Sequence, residues 1–306
     1  MRSTIILASN LTKRYGARMV VDGIDFEIRQ GECFGFLGPN GAGKSTTMRM
    51  ITGLTPRDGG RLEILGRDVV PEDPLIAAQL GIVPQENNLD TDLGVAENLE
   101  VYCRYFGMPA RARAERIEHL LEFAQLSDRR DAPVRILSGG MMRRLVIARA
   151  LVAQPRMVIL DEPTTGLDPQ ARHLIWQRLA SLKERGVTLL LTTHYMEEAS
   201  RLCDRLLILD QGRILDQGTP EALIAKHVEP EVLEVWTHKG CPDPNTFGPL
   251  PGRLERVGDV LYVHGVQLES LRARVRQRDG YSCLLRPANL EDVFLRLTGH
   301  DLGEGS

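Results

Sequence analysis

No long hydrophobic run occurs in these 306 residues: no apolar stretch approaches the roughly 20 needed to cross a bilayer. The N-terminus, with only Ile5-Ile6-Leu7 as an apolar core, is too short for a signal peptide. Cysteine is sparse. Cys33, Cys103, Cys203, Cys241 and Cys283 are scattered without a C-x-x-C pair, so a zinc site is disfavoured and buried free thiols in a reducing compartment are expected. Neither sign of charge dominates. A net charge of −3 supplies no basic face for nucleic acid, although local patches stay open. Internal repeats and low-complexity stretches are also missing. What remains is 42% hydrophobic and 26% charged, the profile of a cytosolic globular protein with one large domain and a smaller one.

Against that background one stretch is specific. An apolar strand, Cys33 to Leu37, runs into Gly38-Pro39-Asn40-Gly41-Ala42-Gly43-Lys44-Ser45-Thr46, a complete match to G-x-x-x-x-G-K-[ST], and a helix starts near Lys44. The glycines let successive backbone N–H groups converge on phosphate oxygens, and the helix adds the positive end of its dipole. Lys44 can reach the β- and γ-phosphates, and the Ser45 hydroxyl can ligate Mg²⁺. A chance glycine-rich turn would lack the flanking strand and helix.

A second signal is Met157 to Leu160, a continuously apolar strand that delivers Asp161 and Glu162 to its end. Asp161 fits a Mg²⁺ carboxylate and Glu162 can polarise a water for attack on the γ-phosphate. The third is Ser138-Gly139-Gly140 at a helix start, where a serine cap and two glycines expose backbone N–H groups. One chain then holds two phosphate-binding helix starts. Both serve one nucleotide only if they come from opposite subunits of a head-to-tail pair, with ATP as the glue. Gln85, at a strand end, could sense the γ-phosphate, the metal or the water, although a lone Gln is usually a surface residue. His194 could hydrogen-bond the γ-phosphate or be structural, and Asp168 reads locally as the cap of helix 169–185. Tyr15 is a core residue or a base-stacking ring, with packing favoured locally.

Along the chain, strands are expected at 5–9, 24–29, 33–37, 61–65, 81–84, 157–160, 187–193, 206–210 and 213–216. Helices are expected after residue 44, at 72–80, across 96–126 with a break at Gly107-Met108-Pro109, at 138–153, 169–185 and 195–203. This is a doubly wound α/β sheet that binds its ligand at the carboxyl ends of the strands, with a helical subdomain at about 86–150 inserted. Composition shifts near 227. The segment 227–306 reads as a small α+β domain of its own, with strands at 231–237, 253–257, 260–264 and 281–285 and helices at 267–278 and from Asn289 to Gly299.

In order, Tyr15, the phosphate loop 38–46, Gln85, Ser138-Gly139-Gly140, Asp161-Glu162, Asp168 and His194 resemble the motifs of ABC transporter ATPases over about residues 5–226. The resemblance implies a P-loop NTPase fold with ATP and Mg²⁺ as cofactors, Tyr15 stacking on adenine, and Asp168 supporting a dimer interface. Gln85 would act both in catalysis and on the metal. The signature would close over ATP held by a second copy. The loop after Gln85 would receive a separate integral-membrane permease of the ABC-2 type, placing the protein at the cytoplasmic face of the inner membrane. Met141 stands where Gln is commoner, a substitution usual in exporters with separate permease chains. Gly31 to Leu37, Arg104 to Met108, Ala171 to Trp176, Cys203 to Leu206 and the tail from Asn289 to Gly299 are most similar to the branch that exports nodulation factor, although Met142 replaces an expected Lys. Lipo-chitooligosaccharide is the implied cargo, with a drug, polysaccharide or lipid exporter as the alternative. A soluble ABC ATPase of translation or DNA maintenance is remote, because the chain has one cassette and no coiled-coil insert.

Overall fold

The computed structural model describes residues 3–238 and 240–299, so residues 300–306 of the C-terminal segment lie outside it. Its first compact unit ends at Gln217 and its second begins at Gly218.

Two long strands open the first unit, β1 (Thr4–Tyr15) and β2 (Arg18–Arg29), paired antiparallel around the turn at Gly16-Ala17. Each is longer than its periodicity suggests. Asn10 adopts φ 47°, and the β1–β2 register shifts between Ala8 and Leu11, so bulges break the alternation that would reveal one continuous strand. β3 (Cys33–Leu37) then leads through the glycine loop into α1 (Lys44–Ile51). β4 (Gly59–Ile64) and the short β5 (Arg67–Asp68) complete a four-stranded sheet of order β2-β1-β4-β5.

The expected helix at 72–80 is a single turn, α2 (Pro74–Ala77), capped by Asp73. Its chain must extend into β6 (Leu80–Val83), whose pairing with the sheet outweighs local helical propensity. The insert follows as α3 (Val95–Tyr105) and α4 (Ala110–Ala124), and α5 (Gly139–Ala150) leads back to the sheet. β7 (Met157–Asp161), α6 (Pro169–Glu184), β8 (Thr188–Thr193), α7 (Met196–Leu202), β9 (Arg205–Asp210) and β10 (Arg213–Gly218) finish the six-stranded sheet, order β10-β9-β3-β8-β7-β6. From β9 to β6 the pairs are parallel.

Both faces of the central strand are covered, which explains its unbroken burial. Phe34 and Phe36 join a core with Phe26 and Ile28 of the antiparallel sheet and with Met48, Met50 and Ile51 of α1. The Phe26 and Phe36 rings meet edge to face at 5.2 Å. On the other face Gly35 is required, because a Cβ there would lie 2.6 Å from Cys203 Sγ. All five cysteines are free; Cys33, Cys103 and Cys203 are buried, and Cys241 and Cys283 half-buried.

The second unit contains α8 (Pro220–His227), β11 (Glu231–Thr237), β12 (Arg253–Val257), β13 (Val260–Gly265), α9 (Glu269–Arg276), β14 (Tyr281–Pro287) and α10 (Leu290–Thr298). Its antiparallel sheet has the order β12-β13-β11-β14. Leu233, Val235, Leu261 and Val263 pack there against Leu271 and Val275 of α9. α10 carries the expected caps, with Asn289 accepting from the Glu291 and Asp292 N–H groups and Gly299 in the left-handed region.

Candidate nucleotide site

The phosphate loop is held open by its glycines. Gly43, the N-cap of α1, has φ 107°, and a Cβ there would lie 2.6 Å from the Val20 carbonyl oxygen. Gly38 is forced by proximity alone, since a Cβ would meet the Leu209 carbonyl oxygen at 2.2 Å. Lys44 is buried inside the curl, its Nζ donating to the Gly38 and Pro39 carbonyls at 2.7 and 3.0 Å. Burial lowers its pKa, and the Glu162 and Asp161 carboxylates oppose that shift. Two carbonyls take two of its three donors without neutralising its charge.

A cleft of about 370 Å³ opens beside the loop, and its wall includes Asn40, Gly41, Ser45, Thr46, Gln85 and Glu162. A second lobe, of about 400 Å³, adds Arg18, Met19 and Ala42, together with Asp210 and Gln211. Lys44, Gln85 and Glu162, far apart in the chain, therefore line one cleft. Ser138, Gly139 and Gly140 belong to neither wall. Ser138 caps α5, its hydroxyl accepting from the Met141 N–H at 3.3 Å, and the Gly139 and Gly140 amides remain first-turn donors.

At the end of β7 the chain turns sharply, and Glu162 takes φ 45°. Its N–H donates to Thr192 Oγ1 at 3.0 Å. Its carboxylate accepts from Gln85 Nε2 at 3.3 Å and from Thr165 Oγ1 at 3.1 Å. His194 Nδ1 lies 3.3 Å from Oε1, at ion-pair distance but out of line for a hydrogen bond. His194 is the main influence holding the Glu162 carboxyl below its ordinary 4.5, while partial burial acts in the opposite direction. The carboxylate is thus charged near neutrality, as a proton acceptor must be. Thr192 Oγ1 also donates to Asp161 Oδ1, which orients the neighbouring carboxylate.

The Ser45 hydroxyl and the Gln85 amide oxygen on the cleft wall, with the Asp161 carboxylate at the end of β7, are the hard oxygens that could hold Mg²⁺. Among the described residues no group of three His, Cys, Asp or Glu could hold a metal. Mg²⁺ takes one or two carboxylates and completes its shell with water and phosphate oxygens.

Two other residues settle locally. Asp168 caps α6, accepting from the Ala171 N–H at 2.9 Å, as its local sequence suggests. Tyr15 contradicts the packing expectation: it is 49% exposed, with Lys13 Nζ 5.4 Å from its ring centroid, and it lies in neither cleft wall. The end of a hairpin has no second layer to bury it. Sequence reasoning missed Arg18, Met19 and Val20, which only the β1–β2 pairing brings to the loop. It also missed Thr165 and Thr192. The polar pair Thr192-Thr193 ending an apolar strand was the available signal for the latter.

Residues 21–165 match the ABC transporter family, and residues 244–299 match the C-terminal domain of the nodulation factor export protein NodI. The chain is 49% identical over 304 residues to Nod factor export ATP-binding protein I of Ralstonia nicotianae, covering 97% of this chain and 95% of that protein. Among solved structures, cbiO1 of Clostridium perfringens, part of the ABC transporter complex cbiONQ, superposes with a TM-score of 0.69 at 27% identity, covering 73% of this chain and 91% of that one. The ATP-binding cassette MJ0796, a dimer in a post-hydrolysis state bound to ADP and phosphate, gives 0.64 at 28% identity, covering 70% and 98%. A phosphate loop facing a strand-end carboxylate, set on this sheet and followed by this C-terminal domain, belongs to ABC transporter ATPases of the Nod factor export type, and the chain is a member of that family, the subunit that binds and hydrolyses ATP for an ABC exporter.

Proposed function

We propose that the chain energises export of a lipo-chitooligosaccharide nodulation factor through a separate membrane permease, working as an ATP-bridged homodimer. The observation that carries the chemistry is the Glu162 carboxylate, gathered among Gln85, Thr165 and His194 on the wall of the cleft that also holds Lys44. Glu162 accepts a proton as water attacks the γ-phosphorus. The bond to the β-bridging oxygen breaks, and the proton passes on to the departing phosphate. Lys44 and the backbone N–H groups of residues 40–46 stabilise the charge that develops, and His194 orients Glu162. Ser45, Asp161 and Gln85 would hold Mg²⁺, which when bound would supply positive charge against the phosphates. The exposed Tyr15 ring, outside either cleft wall, is free to stack on an adenine that extends past the loop.

Support for the dimer comes from Ser138, Gly139 and Gly140 standing outside the chain's own cleft, which leaves their amides for nucleotide on a second copy. Asp168 steadies that contact through the start of α6. The relative solved as a dimer with ADP and phosphate is consistent with this arrangement. Support for a permease comes from α3 and its C-cap, where Val101, Tyr105 and Phe106 are 50%, 82% and 40% exposed, an apolar patch suited to a partner. Among the described residues no helix is long and apolar enough to cross a membrane, in keeping with a peripheral subunit at the cytoplasmic face of the inner membrane. Nucleic acid has no place in this reading. The cargo rests on the relative's described role and on the match of residues 244–299.

Glu162→Gln keeps the side chain's size but removes its capacity to take a proton. ATP binding is expected to persist, turnover to fall by roughly 100-fold or more, and the dimer to accumulate in ATP by light scattering. Wild-type turnover in this variant would sink the assignment.

A further inference from the structure

Arg143 lies in the second turn of α5, five positions after the Ser138 cap, and it is 3% exposed. Its guanidinium spends its donors on the backbone of two distant turns. Nε donates to the Pro163 carbonyl at 2.7 Å. Nη2 donates to the Asp161 and Glu162 carbonyls at 3.0 and 3.2 Å. Nη1 donates to the Pro84 and Gln85 carbonyls, the latter at 3.2 Å. Five carbonyls flank or belong to the two residues whose side chains meet over the cleft, and one side chain on the signature helix binds all five.

Two further observations show that the contact does more than fill space. Glu162 has φ 45°, a conformation that a residue with a Cβ keeps only where its surroundings hold it. Arg143 bonds its carbonyl and those on both sides. In addition, the acceptors are neutral, so a buried cation is kept without a direct carboxylate partner among the described residues. Burial pulls the pKa of Arg143 down to about 10, with the Glu198 and Asp161 charges opposing the shift. Lysine would remain charged but could not reproduce a planar fork of five N–H groups. α5 is also pressed against α6, where a Cβ on Gly140 would meet the Ala171 Cβ at 2.8 Å, so the helix has little slack.

We propose that Arg143 is a positioning residue that couples the Ser138-Gly139-Gly140 helix to Gln85 and Glu162 of the same chain, so that seating the signature on the partner's nucleotide sets the hydrolytic groups of the chain's own site. This rests on the ATP-bridged dimer and on Glu162 as proton acceptor. Arg143 touches no substrate. It links the two sites of the dimer because its helix faces one and its guanidinium holds the other.

The test is Arg143→Lys in the full-length chain, with Arg143→Gln as a second variant should the lysine not fold. Fluorescent-nucleotide titration reads ATP affinity, and phosphate release against ATP concentration reads kcat and the Hill coefficient. Affinity is expected to stay within about twofold, because Lys44 and the phosphate loop are untouched. Turnover falls by roughly 10- to 100-fold, the scale of a misplaced catalytic group, and the Hill coefficient drops toward 1. A strut that merely stabilises the fold would lower the folded fraction and leave the cooperativity of the remaining enzyme unchanged; that result overturns the proposal, as does wild-type kcat with wild-type cooperativity. Glu162→Gln run alongside separates the two readings. If it retains turnover, the catalytic assignment fails; if it loses turnover while Arg143→Lys stays wild-type, only the coupling role fails.

Discussion

Two buried cations of the first compact unit and one half-buried arginine of the second are held in opposite ways. In the first, Lys44 and Arg143 are buried against backbone carbonyls, so their charge is hydrogen-bonded yet not cancelled. In the second, Arg286 meets carboxylates directly. Nη1 and Nη2 grip Asp292 at 2.7 and 2.9 Å, and Nε reaches Glu234 at 2.6 Å. Burial works against the Arg286 cation, but the two carboxylates more than offset it and raise its pKa. Asp292 in turn accepts from the Asn289 N–H at the start of α10. A closed network of this kind holds a structure together, whereas an uncancelled cation beside a cleft is ready for an anion.

The strongest way to break this contrast is Lys44→Ala. If its charge is reserved for phosphate, ATP turnover falls on the order of 10³-fold, about 4 kcal/mol of barrier, while thermal unfolding without nucleotide hardly moves. A variant that hydrolyses ATP normally but melts early would make Lys44 a structural residue. Next in size is Arg286→Met. It strands Asp292, which is 1% exposed, and should cost roughly 3 kcal/mol of stability in chemical unfolding, with ATP affinity unchanged. Unaltered stability would show that the Asp292 network is ornamental.

The smallest effect concerns pH. His264 is 2% exposed and neither ring nitrogen has a hydrogen-bond partner among the described residues, although Glu255 Oε2 lies 3.4 Å from Nε2. Burial first, and then Arg253, lower its pKa below the ordinary 6.5, against the carboxylates of Asp292, Glu255 and Glu229. The unfolded chain therefore takes up this proton at higher pH than the folded one. Its contribution to stability is complete above pH 6.5 and is lost as pH falls through the lower folded value. Glu162, held below 4.5, keeps its contribution to lower pH. Unfolding followed between pH 7 and 5, on the order of the two ordinary values, should show a loss that His264→Gln removes. A loss that persists in that variant would have to come from elsewhere.

The parts of the site legible in sequence are those governed by local stereochemistry. The run Gly38 to Thr46 must curl because nearby backbone would collide with any Cβ at Gly38 or Gly43. The apolar run Met157 to Leu160 must be a covered strand, and Ser138, Asp168 and Asn289 must cap helices. Local signals failed where a non-local partner decided. The bulges at Asn10 hid the length of β1, β6 pairing shortened the helix at 72–80, and the exposure of Tyr15 depends on what fails to cover it.

By itself, then, the sequence determined a phosphate-binding loop, a carboxylate pair at a strand end and a second glycine-rich helix start capped by Ser138, because backbone geometry and capping are set within a few residues. Only the tertiary structure decided which groups act on one another. Gln85, Thr165 and His194 meet at Glu162, and Arg143 binds the turns on either side, because β6, β7 and β8 are parallel neighbours whose ends share one edge of the sheet. Strand order is a property of pairing between segments up to a hundred or so residues apart, on the order of a whole domain, and no local pattern in any one of them records it.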